Sequence, residues 1–125
     1  MSPRRGAWLL AAGRTALGVV VLAAPEQVVG HWLGREHAAK PVVLDLARSL
    51  GARDLALGVA TLQTLDDSTI GPRVQALCAL VDGVDVLATV IARRELPRSG
   101  VLGTVAIAGA AAGAGFYFSH KLAHA

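Results

Sequence analysis

The chain has 125 residues, 54% of them hydrophobic and 17% charged, with a mean hydropathy of +0.52 and a net charge of +3. Soluble domains carry roughly 25% charged residues, and a domain this small buries only about two thirds of its unfolded surface, so the composition argues against an ordinary soluble fold and excludes disorder. One cysteine rules out a disulfide framework and Cys-rich metal sites, while two Trp, one Tyr and two Phe leave little for stacking on nucleic-acid bases.

Four apolar stretches follow in order: Ala7 to Ala24, Pro41 to Leu65, Val74 to Ile91 and Val101 to Phe118. Eighteen helical residues rise about 27 Å, close to the hydrocarbon thickness of a bilayer. The expected architecture is therefore all-α, a four-helix transmembrane bundle forming one membrane-embedded domain over residues 1–125. The connectors carry the turn residues: Pro25 to Lys40 reads as a polar loop with Gly30 and Gly34, Asp66 to Arg73 contains Gly71-Pro72, and Ala92 to Gly100 contains Pro97. A soluble four-helix bundle is the competing reading. It lacks the polar faces such helices need, since Ala7 to Ala24 holds one charge and Val101 to Phe118 none.

The first stretch imitates a secretory signal because Arg4-Arg5 precede it. Arg14 interrupts the run and no small-x-small cleavage site precedes Pro25, so a retained first helix is expected. The basic residues are scattered between apolar runs as membrane-edge anchors rather than gathered on a nucleic-acid-binding face. Arg4, Arg5, Arg73 and Lys121 would share one side and Arg35, Lys40, Arg93, Arg94 and Arg98 the other. That near-even division sets no orientation, although the three arginines of the third loop tilt that side toward the cytoplasm.

Ionisable residues inside the apolar stretches carry the most information, because an Asp or Arg at a helix centre costs about 2.5 to 3.5 kcal/mol on the lenient insertion scale. Arg14 lies in the first stretch, Asp45, Arg48, Arg53 and Asp54 in the second, Asp82 and Asp85 in the third. Their near balance fits an internal ion-pair network joining three helices. Asp82 and Asp85, three residues apart and on one helical face, also suit acid/base work, one carboxyl protonated and its neighbour ionised, with Arg48 or Arg53 positioning them. Arg53 and Asp54 point away from Asp45 and Arg48 at 100° per residue, so the second helix is either buried on most sides or broken near Gly51. The bland alternative is an unbroken helix.

These residues carry a resemblance. An in-helix Arg followed by Leu-Gly (Arg14 to Gly18), a second helix reading Gly-Ala-Arg-Asp-Leu-Ala-Leu-Gly (Gly51 to Gly58) and an Asp-bearing third helix resemble the small four-span membrane proteins of unknown function common in high-GC bacteria. The likeness implies four-span topology in the bacterial inner membrane and no established activity. Asp82-Gly83 and Ala92-Arg93 echo the CDP-alcohol phosphatidyltransferases, but the spacing is wrong and the later aspartates are missing, so that family and its metal are set aside.

In the fourth stretch Gly109 and Gly113 form a Gly-x-x-x-Gly face suited to close helix packing or a homo-oligomer contact. The segment Ala16 to Leu22 is echoed by Ala56 to Leu62, which composition alone explains. His120 and His124 are two ligands without a third, Cys78 reads as a core residue, and Trp8, Trp32 and Tyr117 read as interfacial anchors. No cofactor and no metal is implied. The expected partners are the bilayer, another membrane protein or a lipophilic small molecule. Three functions follow: a bundle that binds or stabilises a partner, an intramembrane acid/base enzyme, or a proton or solute pathway built as an oligomer.

Overall fold

A computed structural model describes residues 1–125, which form six helices and no strand: α1 (Pro3–Ala23), α2 (Pro25–Leu33), α3 (Arg35–Ala38), α4 (Pro41–Thr64), α5 (Ile70–Ile91) and α6 (Arg98–Ala123). By length and composition α1, α5 and α6 are able to cross a membrane. At 1.5 Å per residue the 24-residue α4 is as long, about 36 Å, but its four charged residues set it apart from those three.

Prolines begin helices here. Pro3, Pro25 and Pro41 each occupy the first turn of their helix, where a missing N–H costs nothing, and Ser2 Oγ accepts a hydrogen bond from the Arg5 backbone N–H at 3.2 Å. The stretch 25–40, expected as a polar loop, is instead the helices α2 and α3. Its apolar residues lie on one face: Val29 is fully buried with Val21 and Ala47, flanked by Val28 and Leu33, while Glu26, Gln27 and His31 face outward. Gly34, at φ 94°, makes the break between the two helices.

Gly71-Pro72, expected in a turn, belongs to the first turn of α5 and is buried. The turn is set just before it by Asp67, whose Oδ1 accepts from the backbone N–H groups of Ile70 at 2.7 Å and Thr69 at 2.8 Å. Those two donors hold the Asp67 carboxyl below the usual carboxylate range.

The four long helices form two antiparallel pairs, α1 with α4 and α5 with α6, which make the most extensive contacts in the molecule. Small residues bring α1 and α4 together. Gly18 lies against the Gly51 carbonyl and the Leu55 backbone, Gly58 against Thr15 and the Ala11 carbonyl, and a Cβ on Gly51 would stand 3.0 Å from Val21. Within the chain the Gly109/Gly113 face meets no helix closely: Gly113 has nothing within 4 Å of where its Cβ would be and Gly109 only Val86 at 4.0 Å. The glycine of α6 that packs is Gly115, against Ala79 and Gln75 of α5, because the α5-facing side of α6 lies on a different arc of the helix.

Contacts between the pairs are sparser. Gly6 of α1 meets the Phe118 ring of α6, and at the other end α2 closes over the gap, with the Trp32 backbone on Gly100 and Trp32 Nε1 donating to Thr104 Oγ1 at 2.7 Å. Only 21 of 125 residues are buried, and large apolar side chains such as Val42, Leu46, Leu87, Ile91, Leu102 and Ile107 are 60% exposed or more. Apolar exposure on this scale marks a surface that another phase or molecule covers.

Two outcomes follow. Gly18→Ala or Gly58→Ala, each placing a methyl against backbone, should cost about 1–3 kcal/mol of stability, whereas Gly113→Ala should cost nothing; denaturant unfolding in detergent compares them. Asp67→Ala should lower the thermal midpoint at pH 6. Because the folded-state pKa of Asp67 lies below its unfolded value, this contribution is complete above the ordinary carboxylate range near about 4 and disappears as the pH falls through the depressed value. The gap between wild type and variant should therefore close below that range.

Candidate functional site

Five charged side chains meet halfway along α1, α4 and α5. Arg14 Nη1 donates to Asp54 Oδ1 at 3.1 Å, and Arg14 Nη2 donates to Asp82 Oδ2. Arg53 grips Asp85 with both terminal nitrogens, at 3.1 Å and 2.7 Å, and approaches Asp54 Oδ1 at 3.5 Å. The order Asp82–Arg14–Asp54–Arg53–Asp85 thus alternates in sign. Side-chain exposure is 12% for Arg14, 15% for Asp54 and 9% for Asp82, so the Arg14 end is the enclosed one.

The glycine contacts set this meeting. Ala11 and Thr15 lie against Gly58, and Gly18 against Gly51 and Leu55, so Arg14 comes level with Asp54. Gln75, Cys78, Asp82, Asp85 and Thr89 fall at alternating spacings of three and four along α5 and so share one face; all five line one cavity.

Two expected members are elsewhere. Asp45 and Arg48 are exposed and form no ion pair. On an unbroken helix Asp45 and Asp54, nine residues apart at 100° each, point in opposite directions, and α4 runs continuously through Gly51, so it turns one charged set inward and the other outward. Asp82 and Asp85 share a helical face, but each has its own guanidinium, Arg14 for one and Arg53 for the other. They do not form a carboxyl pair that shares a proton.

The cavity lies between the two helix pairs, has a volume of about 1080 Å³ and runs along α1 from Leu9 to Val21 and along α6 from Ser99 to Ala111. Leu10, Leu17, Ile107, Ala108 and Ala111 supply apolar wall; the five charged residues supply polar lining, joined by uncharged polar side chains such as Gln75 and Thr89 and by His31 at the α2 end. Sequence reasoning passed over Gln75 and Thr89, which are exposed by only 3% and 7% and make no side-chain hydrogen bond. Their spacing from Asp82 and Asp85 was the available signal. Thr61, also buried, donates to the Leu57 carbonyl at 2.8 Å and lies 3.4 Å from Cys78 Sγ.

Unsatisfied groups remain in the cluster. Arg53 Nε is buried without an acceptor. Asp54 Oδ2 and Asp82 Oδ1 receive no hydrogen bond, and both residues line the cavity. Chemically, the arrangement can lock three helices together, present carboxylate oxygens to a molecule in the cavity, or hold a proton on the carboxylate in excess.

No protein-family model, curated protein or solved structure matches this chain. Its functional reading therefore rests on the site itself.

Arg14→Ala strands Asp82, leaves Asp54 with Arg53 alone at 3.5 Å, and should remove about 3–5 kcal/mol of stability. Asp45→Asn and Arg48→Gln should each stay within about 0.5 kcal/mol of wild type. Unfolding midpoints of the three variants in one detergent decide whether the inner set alone holds the helices.

Proposed function

We propose that the chain is a four-span integral protein of the bacterial inner membrane that holds a lipophilic small molecule between its two helix pairs. The cavity carries this reading. Its volume of about 1080 Å³ is that of a small-molecule site at the upper end of the usual range of about 300–1,000 Å³, and it combines apolar walls with a few convergent polar groups, as such sites do.

The packing of α4 supports four spans rather than three. It runs antiparallel to α1 through Gly18, Gly51 and Gly58, so a membrane that α1 crosses surrounds α4 as well. The inward charges of α4 have partners from α1 and α5. Asp45 and Arg48 lie within its first two turns, near enough to the membrane edge for their polar ends to reach the head groups. The Asp/Arg set is then an intramembrane network that ties the pairs together and forms the polar part of the ligand site.

The cavity is open on one side, and its convergent polar groups beside apolar walls suit a small molecule. Binding also fits the carboxylates better than acid/base catalysis, since Asp82 and Asp85 each engage a separate guanidinium.

Native mass spectrometry of the protein, extracted from its own membrane in mild detergent, tests the reading. One lipophilic adduct per chain is expected. Ala108→Phe, which puts a ring into the cavity, should abolish the adduct while the helical circular dichroism is kept. A wild-type chain without any adduct, or an adduct indifferent to Ala108→Phe, overturns the proposal.

A further inference from the structure

The charges around the cavity do not cancel. Arg14 and Arg53 supply two positive charges, Asp54, Asp82 and Asp85 three negative ones, so the ionised cluster carries one negative charge in excess. A lone excess charge in an apolar protein is costly unless paired. We propose that a cation supplies the missing charge: the molecule held in the cavity is a lipophilic amine bound in its ammonium form, seated on Asp54 and Asp82. This deepens the ligand-binding reading above and rests on it.

The hydrogen-bond pattern points the same way. The terminal nitrogens of both arginines are directed at carboxylates, and Arg53 Nε is closed off by burial. An anionic head group would meet guanidinium groups already engaged by carboxylates and would face three negative charges. An ammonium group donates hydrogen bonds and accepts none, which suits Asp54 Oδ2 and Asp82 Oδ1, the two carboxylate oxygens of the cluster left without a donor.

A second observation is independent of the charges. Gln75 and Thr89, on the same face of α5 as the aspartates, are more than nine-tenths buried, line the cavity and have no hydrogen-bond partner within the protein. Their polar atoms, unlike Arg53 Nε, keep accessible surface, so a molecule in the cavity can hydrogen-bond to them. Two in one cavity, on either side of the aspartates, suit a polar occupant. A metal cation is a poor candidate, because no three His, Cys, Asp or Glu side chains converge closely enough to ligate one.

The apolar wall fixes the rest of the ligand. From Ser99 to Ala111 the α6 side rises about 18 Å along the helix, lined mainly by small or aliphatic side chains. An alkyl or comparably apolar body fits there, with its charged end at the depth of Arg14.

The test uses three probes of equal chain length, decylammonium, decanol and decanoate, added separately to the full-length protein in lipid nanodiscs at neutral pH. The readouts are the one-to-one adduct by native mass spectrometry and the shift in thermal midpoint. Decylammonium should bind at least tenfold more tightly than either of the others and raise the midpoint most. Asp82→Asn should weaken decylammonium at least tenfold and leave decanol unchanged; the three-probe comparison on wild type stands even where that variant fails to fold. Equal binding of decanol overturns the amine assignment, leaves the cavity reading intact and places a proton on the third carboxyl. Tighter binding of decanoate likewise overturns the amine and spares the cavity. If no probe binds in a manner that Ala108→Phe abolishes, the cavity reading falls together with the amine.

Discussion

Arg14 holds the structure together. It is the one charged side chain of α1 between Arg5 and the helix end, and it reaches Asp54 on α4 and Asp82 on α5 at once. A guanidinium can do this because it is planar and carries separate donors for separate acceptors; a lysine would concentrate the charge at one point. The surroundings are arranged around that need. The glycines of α1 and α4 remove the side chains that would hold the two backbones apart, and their register brings Arg14 and Asp54 to one level. The chain of ion pairs then extends through Arg53 to a second anchorage on α5 at Asp85.

Two kinds of cohesion result. Within each pair of long helices, close contact of small residues provides dispersion and, in the proposed membrane setting, replaces the hydrophobic effect, which lipid tails do not supply. Between the pairs, charged groups provide much of the contact, and the space they bridge stays partly open. The role of small residues changes accordingly. On α1 and α4, Gly18 and Gly58 permit contact, whereas on the cavity side of α6, Gly103, Ala108 and Ala111 leave room. The same residue types thus close one interface and hold another open, depending on whether a facing helix arrives.

The helical class and the apolar segments α1, α5 and α6 were legible because apolar length is a local property of the chain. In the 25–40 segment Pro and Gly signal a loop, whereas Pro25 opens a short helix whose apolar face, centred on Val29, is completed by Val21 and Ala47. Which charges would meet was less legible. Helical angles separate Asp45 and Arg48 from Arg53 and Asp54, but only the position of α1 determines which set is inside. The Gly-x-x-x-Gly face makes no close contact within its own chain for a related reason: a small-residue face permits close approach but does not bring a partner, and Gly113 meets no helix of this chain. Conversely, the spacing from Gln75 to Thr89 was visible in the sequence, and nothing local distinguished those two polar residues from ones facing outward.

Gln75 and Thr89 bear on why the cavity exists at all. Both side chains are more than nine-tenths buried, and an apolar residue of similar size at either position would be cheaper to bury and would fill part of the space. The same holds for the carboxylate in excess, since a charge-balanced set of Arg14, Arg53 and two aspartates would be cheaper to bury. A chain under selection for stability alone would drift toward those substitutions, since stabilising changes of this kind are readily found. Gln75 and Thr89 without partners in the protein, and an unmatched carboxylate, all lie on the walls of one open cavity. Independent packing faults would be scattered through the fold, and their convergence on one space is what a ligand site requires.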